Sequence, residues 1–216
     1  MGAKVTHFKV GNGDQTLIWF DSGRRLLIDC NVRVPSKGEK LPDVIAQLRK
    51  RLDRDTQGRL FVDAFLLTHP DQDHCRGLRD HFHLGPLDDW DKGADKIVIR
   101  EMWSSPMVFR RASKKHALCD DAKAWNTEAR RRVRKFRSEG VCQTGDRIQI
   151  FGEDEGEKTD DLRAILVPRG AQFSRINGER DATFLGTLIA PAPPGEEVDE
   201  DMRSKNNSSV IINLSL

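Results

Sequence analysis

The chain has 216 residues, with 36 Lys and Arg against 34 Asp and Glu, so its net charge of +2 points to no partner by itself. That length is enough for one domain with a sizeable core, and 32% charged residues with a mean hydropathy of −0.60 make it polar. No apolar run reaches the roughly 18 residues needed to cross a bilayer, and the opening MGAKVTHFKVGNGD lacks a secretory pattern. Membrane-spanning, collagen-like and wholly disordered classes are excluded, and a cytoplasmic chain is expected.

In chain order, Val5 to Val10 alternates as a short strand, and Gly11-Asn12-Gly13-Asp14 is a turn cluster. Thr16 to Phe20 predicts a second strand, Asp21-Ser22-Gly23 a tight turn, and Arg25 to Cys30 a third strand. Leu41, Val44, Ile45, Leu48 and Leu52 recur at helical spacing, predicting an amphipathic helix over 40–52. Phe61 to Thr68 reads as a buried strand running directly into His69, and a short helix is expected over 75–83. Lys96 to Met102 is the next strand. A long helix is predicted over 108–138, with a break near Cys119 to Asp121. Strands follow at 148–151 and 162–168. A Pro-rich connector (residues 189–195) and an acidic loop then lead to a final strand over 210–214. Hairpins at the start and uneven alternation later favour a mixed α/β sandwich.

Charge is unevenly spread. Between Phe109 and Arg137 there are eleven Lys and Arg against three Asp and Glu, which makes a basic stripe suited to a polyanion or simply a solvated helix face. Arg130, Arg131, Arg134 and Lys135 are its candidate nucleic-acid contacts. Trp103 and Trp125 read first as core residues and only second as stacking platforms. Cys30, Cys75, Cys119 and Cys142 form no Cys-x-x-Cys, so neither a zinc ribbon nor a thioredoxin-type site is suggested, and reduced thiols are expected.

The chemistry concentrates in Thr68-His69-Pro70-Asp71-Gln72-Asp73-His74. Two imidazoles and two carboxylates within six residues, mounted on a strand end, suit a hard or borderline divalent ion such as Zn, Mn or Mg. Left unpaired, such groups would repel one another or require costly desolvation. His81, His83 and His116 read as packing or surface residues, and Cys75 as inert packing.

This run resembles the T-H-x-H-x-D-H signature of metallo-β-lactamase-fold hydrolases, with Asp71 in place of the second histidine. The variant is similar to that of the hydrolase domain of ComEC-like DNA-uptake proteins. Val10 to Asp14 followed by Leu27-Ile28-Asp29-Cys30, and Asn206-Asn207-Ser208-Ser209-Val210 near the end, resemble other motifs of that branch in the same order. The resemblance implies an αββα sandwich, with residues 1–216 as the N-terminal portion of one domain and a basic helical insertion at about 108–138. It implies two divalent ions, one held by His69 and Asp71 and the other by Asp73 and His74. Asp73 would also orient a metal-bound hydroxide for attack on a phosphodiester.

The family pattern continues past the Asn-Asn-x-Ser strand to a Gly-Asp and a later histidine, which would lie beyond Leu216. The resemblance therefore implies a site completed by further chain or by a partner protein, or else a degenerate relative. Three functions stay open. They are a metal-dependent nuclease acting on DNA or RNA, which is favoured, a non-catalytic binding or scaffold module, and a small-molecule hydrolase.

Overall fold

The computed structural model describes residues 2–34, 40–109, 117–154, 158–191 and 209–216. The strands are β1 (Lys4–His7), β2 (Thr16–Trp19), β3 (Arg25–Ile28), β4 (Cys30–Asn31), β5 (Phe61–Leu67), β6 (Phe82–His83), β7 (Ile97–Ser104), β8 (Arg147–Phe151) and β9 (Leu166–Val167). Five more follow: β10 (Gln172–Phe173), β11 (Arg175–Ile176), β12 (Glu179–Arg180), β13 (Leu185–Ala190) and β14 (Ile211–Ser215). The α-helices are α1 (Val44–Arg49), α2 (Gln72–Cys75), α3 (Leu78–His81) and α4 (Asp120–Glu139).

The main sheet runs β1-β2-β3-β5-β7-β8-β9, with β6 beside β7. Its first three strands form an antiparallel meander, and from β3 to β9 every pairing is parallel. A parallel sheet is stable only with both faces covered, and β5 is accordingly buried along its whole length. Leu27, Phe65, Leu67, Met102, Ile148 and Ile150 pack on one face against Leu48 of α1, Leu78 of α3 and Trp125, Ala129 and Val133 of α4. On the other face, Ile18, Leu26, Leu66, Trp103 and Phe151 meet Phe173, Phe184, Leu188 and Val210. These last residues line a small antiparallel sheet, β10-β13-β14. The fold is therefore mixed α/β in three layers: helices, a large sheet and a small sheet. Leu185, Ile189 and Ile211 are exposed, so no layer covers them among the described residues.

Several elements differ from their predicted extents, for local reasons. The first helix starts only at Val44, because Pro42 lacks an amide and Asp43 caps the helix by accepting from the Ala46 amide at 2.9 Å. The helix expected at 75–83 is split into α2 and α3 by Gly77, which adopts φ 89°. The strand at 162–168 shortens to β9 because residues 160–162 coil into a 3-10 turn. The long basic helix begins at Asp120, where Cys119 caps it. The final strand pairs with β13 along one side, and its other edge meets no strand among the described residues. His116, the basic residues at 110–115, the acidic loop and the Asn206-Asn207-Ser208 run lie outside the described residues.

Candidate metal centre

Two neighbouring parallel strands deliver the site. β5 ends at Leu67 and leads through Thr68, His69, Pro70 and Asp71 into the single turn of α2, which carries Asp73 and His74. Beside it β3 ends at Ile28, and the backbone of the next residue, Asp29, turns into the left-handed region at φ 55°. That conformation costs a non-glycine residue about 1–2 kcal/mol. It is offset because the buried Asp29 carboxylate accepts three hydrogen bonds, each to a charged acceptor and worth about 1.5–3 kcal/mol. The donors are the Thr68 amide at 2.8 Å, the Thr68 hydroxyl at 2.7 Å and His74 Nδ1 at 2.7 Å.

The direction of these bonds fixes both imidazoles. An ionised carboxylate only accepts, so His74 carries a proton on Nδ1. The Thr68 hydroxyl spends its one proton on Asp29, so its 3.1 Å contact with His69 Nδ1 must be donated by the ring. Each histidine is therefore held through Nδ1–H, which leaves Nε2 as the ring atom able to ligate, the arrangement that carboxylate-backed metal histidines use. The two rings lie side by side with centroids 3.9 Å apart. Burial and the neighbouring His74 hold the pKa of His69 below its usual value. Burial also opposes charge on His74, but the hydrogen bond and charge of Asp29 outweigh it, and its pKa is raised.

Of the four residues expected as ligands, Asp71 brings a carboxylate oxygen to 3.9 Å from His69 Nε2. Asp73 acts by charge on both imidazoles, and His74 sits on Asp29. Among the described residues, no three His, Cys, Asp or Glu side chains are gathered around one point as a metal-holding group. The donor set fits a divalent ion by type and by tautomer, while its side chains are not converged on a centre. Sequence reasoning assigned no role to Asp29, Thr68 or Asp14, whose charge also reaches His74. Asp29 lies 45 residues from His74, so only strand adjacency reveals the pair. The Gly11 to Asp14 turn closes over the same loop. A Cβ on Gly13 would fall 2.1 Å from the Asp73 carbonyl oxygen and 2.6 Å from Asn31 Nδ2, so the position requires glycine.

Much of the basic stripe is committed internally. Arg131 pairs with Glu128 and Asp146, each at 2.7 Å, and Lys135 pairs with Asp146 at 2.7 Å. Arg132, fully buried, bonds Glu128 and the carbonyls of Ile99 and Arg147. Arg130 donates to the Val108 carbonyl at 2.6 Å yet stays exposed, as does Arg134. These two line a hollow of about 340 Å³ with Phe109, Val133, Arg137 and Lys158. Helix rise places it roughly 15–25 Å along α4 from Cys119. Trp103 and Trp125 are core residues, with indole N–H groups bonded to Glu101 and Ser104. His83 is buried and bonds the Pro86 carbonyl at 2.8 Å. No protein-family model matches this chain, and no curated protein or solved structure matches it either.

Proposed function

We propose that the chain is a divalent-metal-dependent phosphodiesterase of the metallo-β-lactamase-like αββα class, acting on nucleic acid. One observation carries the reading: Asp29 and Thr68 lock His69 and His74 through Nδ1, leaving both Nε2 atoms as ligands beside Asp71 and Asp73. His69 and Asp71 would hold one ion, and Asp73 and His74 the second, with Zn or Mn preferred and Mg acceptable. When bound, the ions supply Lewis-acid charge to the phosphoryl oxygens and acidify water. Asp73 would orient the attacking water, and Asp29 keeps His74 in its ligating tautomer. Arg130 and Arg134 would receive backbone phosphates, with the ion-paired Arg131 and Lys135 adding to the local field. The remaining ligands would come from further chain or a partner polypeptide. A cytoplasmic setting is part of the proposal, and no described helix is long and apolar enough to cross a membrane.

The test is cleavage of labelled single- and double-stranded DNA and RNA with Mn or Zn, alongside metal analysis. Asp73→Ala should abolish cleavage, and Arg134→Glu should raise KM with little change in kcat. Stoichiometric metal with no cleavage of any nucleic acid would remove the nuclease reading. A second reading, a binding module that keeps the fold, is supported by the ungathered side chains. It expects no stoichiometric metal, so elemental analysis separates the two.

A further inference from the structure

The four cysteines are widely separated in sequence, yet the fold brings two of them together. Cys75 ends α2, directly after His74, and Cys119 caps α4, 44 residues later. Their sulfurs lie 3.5 Å apart, at van der Waals contact. Cys119 is partly exposed, and its sulfur accepts the Ala122 amide at 3.4 Å in the first turn of a 20-residue helix. Cys75 is buried, and its single thiol proton lies between the Asp71 carbonyl oxygen at 3.2 Å and the Cys119 sulfur.

We propose that Cys75 and Cys119 form a reversible, hydroperoxide-driven disulfide that ties the N-terminus of α4 to the His69–His74 loop. It concerns the thiols alone and stands apart from the metal reading. Cys119 is the attacking group. A hydrogen bond from Cys75 and the helix amides bring its pKa down to about 6, against the opposing effects of burial and the Asp121 carboxylate. Cys75, buried and within 3.5 Å of the Cys119 sulfur, is placed to act as the resolving thiol.

The steps balance. The Cys119 thiolate attacks one oxygen of the hydroperoxide, the O–O bond breaks, and the departing oxygen leaves as water or alcohol after taking a proton. Cys119 is now a sulfenic acid, oxidised by two electrons while the peroxide is reduced. The Cys75 sulfur then attacks the Cys119 sulfur, the S–O bond breaks, and the hydroxyl leaves as water with the proton from Cys75. The Asp71 carbonyl thereby loses its thiol donor, and the loop gains a covalent link to α4. Cys30 is a poorer partner. It is fully buried, burial pushes its thiol up, and it donates to the Arg76 carbonyl at 3.4 Å.

The experiment is a hydrogen peroxide titration of the reduced full chain, followed by non-reducing proteolysis and mass spectrometry. The expected product is an intramolecular Cys75–Cys119 cross-link that dithiothreitol reverses. Cys75→Ser should leave Cys119 as a sulfenic acid that dimedone traps, and Cys30→Ser should keep the cross-link. Alkylation of Cys119 by iodoacetamide should retain about half its plateau rate at pH 6, where an ordinary thiol with pKa near 8.5 is under about 1% thiolate. A cross-link through Cys30, intermolecular dimers, or oxidation of Cys142 at equal rate would overturn the proposal. If a serine variant fails to fold, the map from the native chain still decides.

Discussion

Asp29 shows how far one carboxylate can set the chemistry of a site. Its hydrogen bond to His74 raises that imidazole's pKa despite burial. A folded pKa above the unfolded value of about 6.5 adds stability that is fully present below about pH 6.5 and is lost as pH climbs through the raised value. Asp29→Asn should therefore lower the His74 pKa, read from imidazole NMR titration, and flatten that part of the stability curve. It should also cost roughly 1–3 kcal/mol in urea unfolding, since the Thr68 and His74 donors lose a charged acceptor. An unmoved His74 titration would sink the assignment of Asp29 as its partner. On the proposed reading a metal ion would displace the Nε2 proton of His74, so Zn or Mn affinity should rise as pH passes upward through the raised His74 pKa. Calorimetric titrations on either side of that range would test this, and flat affinity would count against His74 as a ligand. That His69, Asp71, Asp73 and His74 share one loop was legible, because all four sit within six positions at one strand end. Their support was not, because Asp29 follows β3, 45 residues before His74, and sequence spacing carries no record of which strands lie side by side.

At the scale of the element, α4 looks like a cationic surface helix in sequence but serves as a structural clamp. Glu128 lies one turn from Arg131 and Arg132, a spacing visible in sequence as i,i+3 and i,i+4 pairs. Asp146 is the less visible member, since it reaches Arg131 and Lys135 from the segment entering β8. Arg132 runs from this cluster to the Ile99 and Arg147 carbonyls and so joins the helix to β7 and β8. Glu128→Ala would leave that guanidinium buried without its counter-charge, and should cost about 3–5 kcal/mol. Exposed Arg134→Glu should instead stay within about 0.5 kcal/mol of the native chain. The comparison is a pair of urea melts, and equal losses would refute the clamp. Burial opposes ionisation of Glu128 and Asp146, but their cationic partners win and hold both pKa values below the usual range. Their stability is present above the unfolded carboxylate pKa of about 4 and disappears as pH falls through the depressed folded values. Acid unfolding of the native chain should steepen there, and in Glu128→Ala that steepening should weaken.

At the scale of the whole molecule, the strands that were legible are those of the buried sheet, where runs such as 61–67 are apolar except for Asp63. Much of the second face was hidden, because β10 of the small sheet and the separate β11–β12 pair have two residues per strand and carry no usable period. Contacts far apart in sequence hold the two sheets together. Phe173 packs edge-on against Trp103 at 5.5 Å and Phe151 at 5.1 Å, and it also meets Phe184 at 6.2 Å. Gly186, its cross-strand partner on β13, makes room for the ring: a Cβ there would lie 2.2 Å from Phe173 Cζ. Gly186→Ala should therefore push Phe173 out of the aromatic cluster, at a cost of about 1–3 kcal/mol for overpacking. For a chain of this size each kcal/mol lowers Tm by roughly 2–4 °C. The collision should also shift the fluorescence of the buried Trp103. Phe173→Leu shortens the side chain facing the glycine, so Gly186→Ala should cost clearly less in that background than in the native chain. Additive losses in this double-mutant cycle would show that the glycine is needed for something other than seating Phe173 between the sheets.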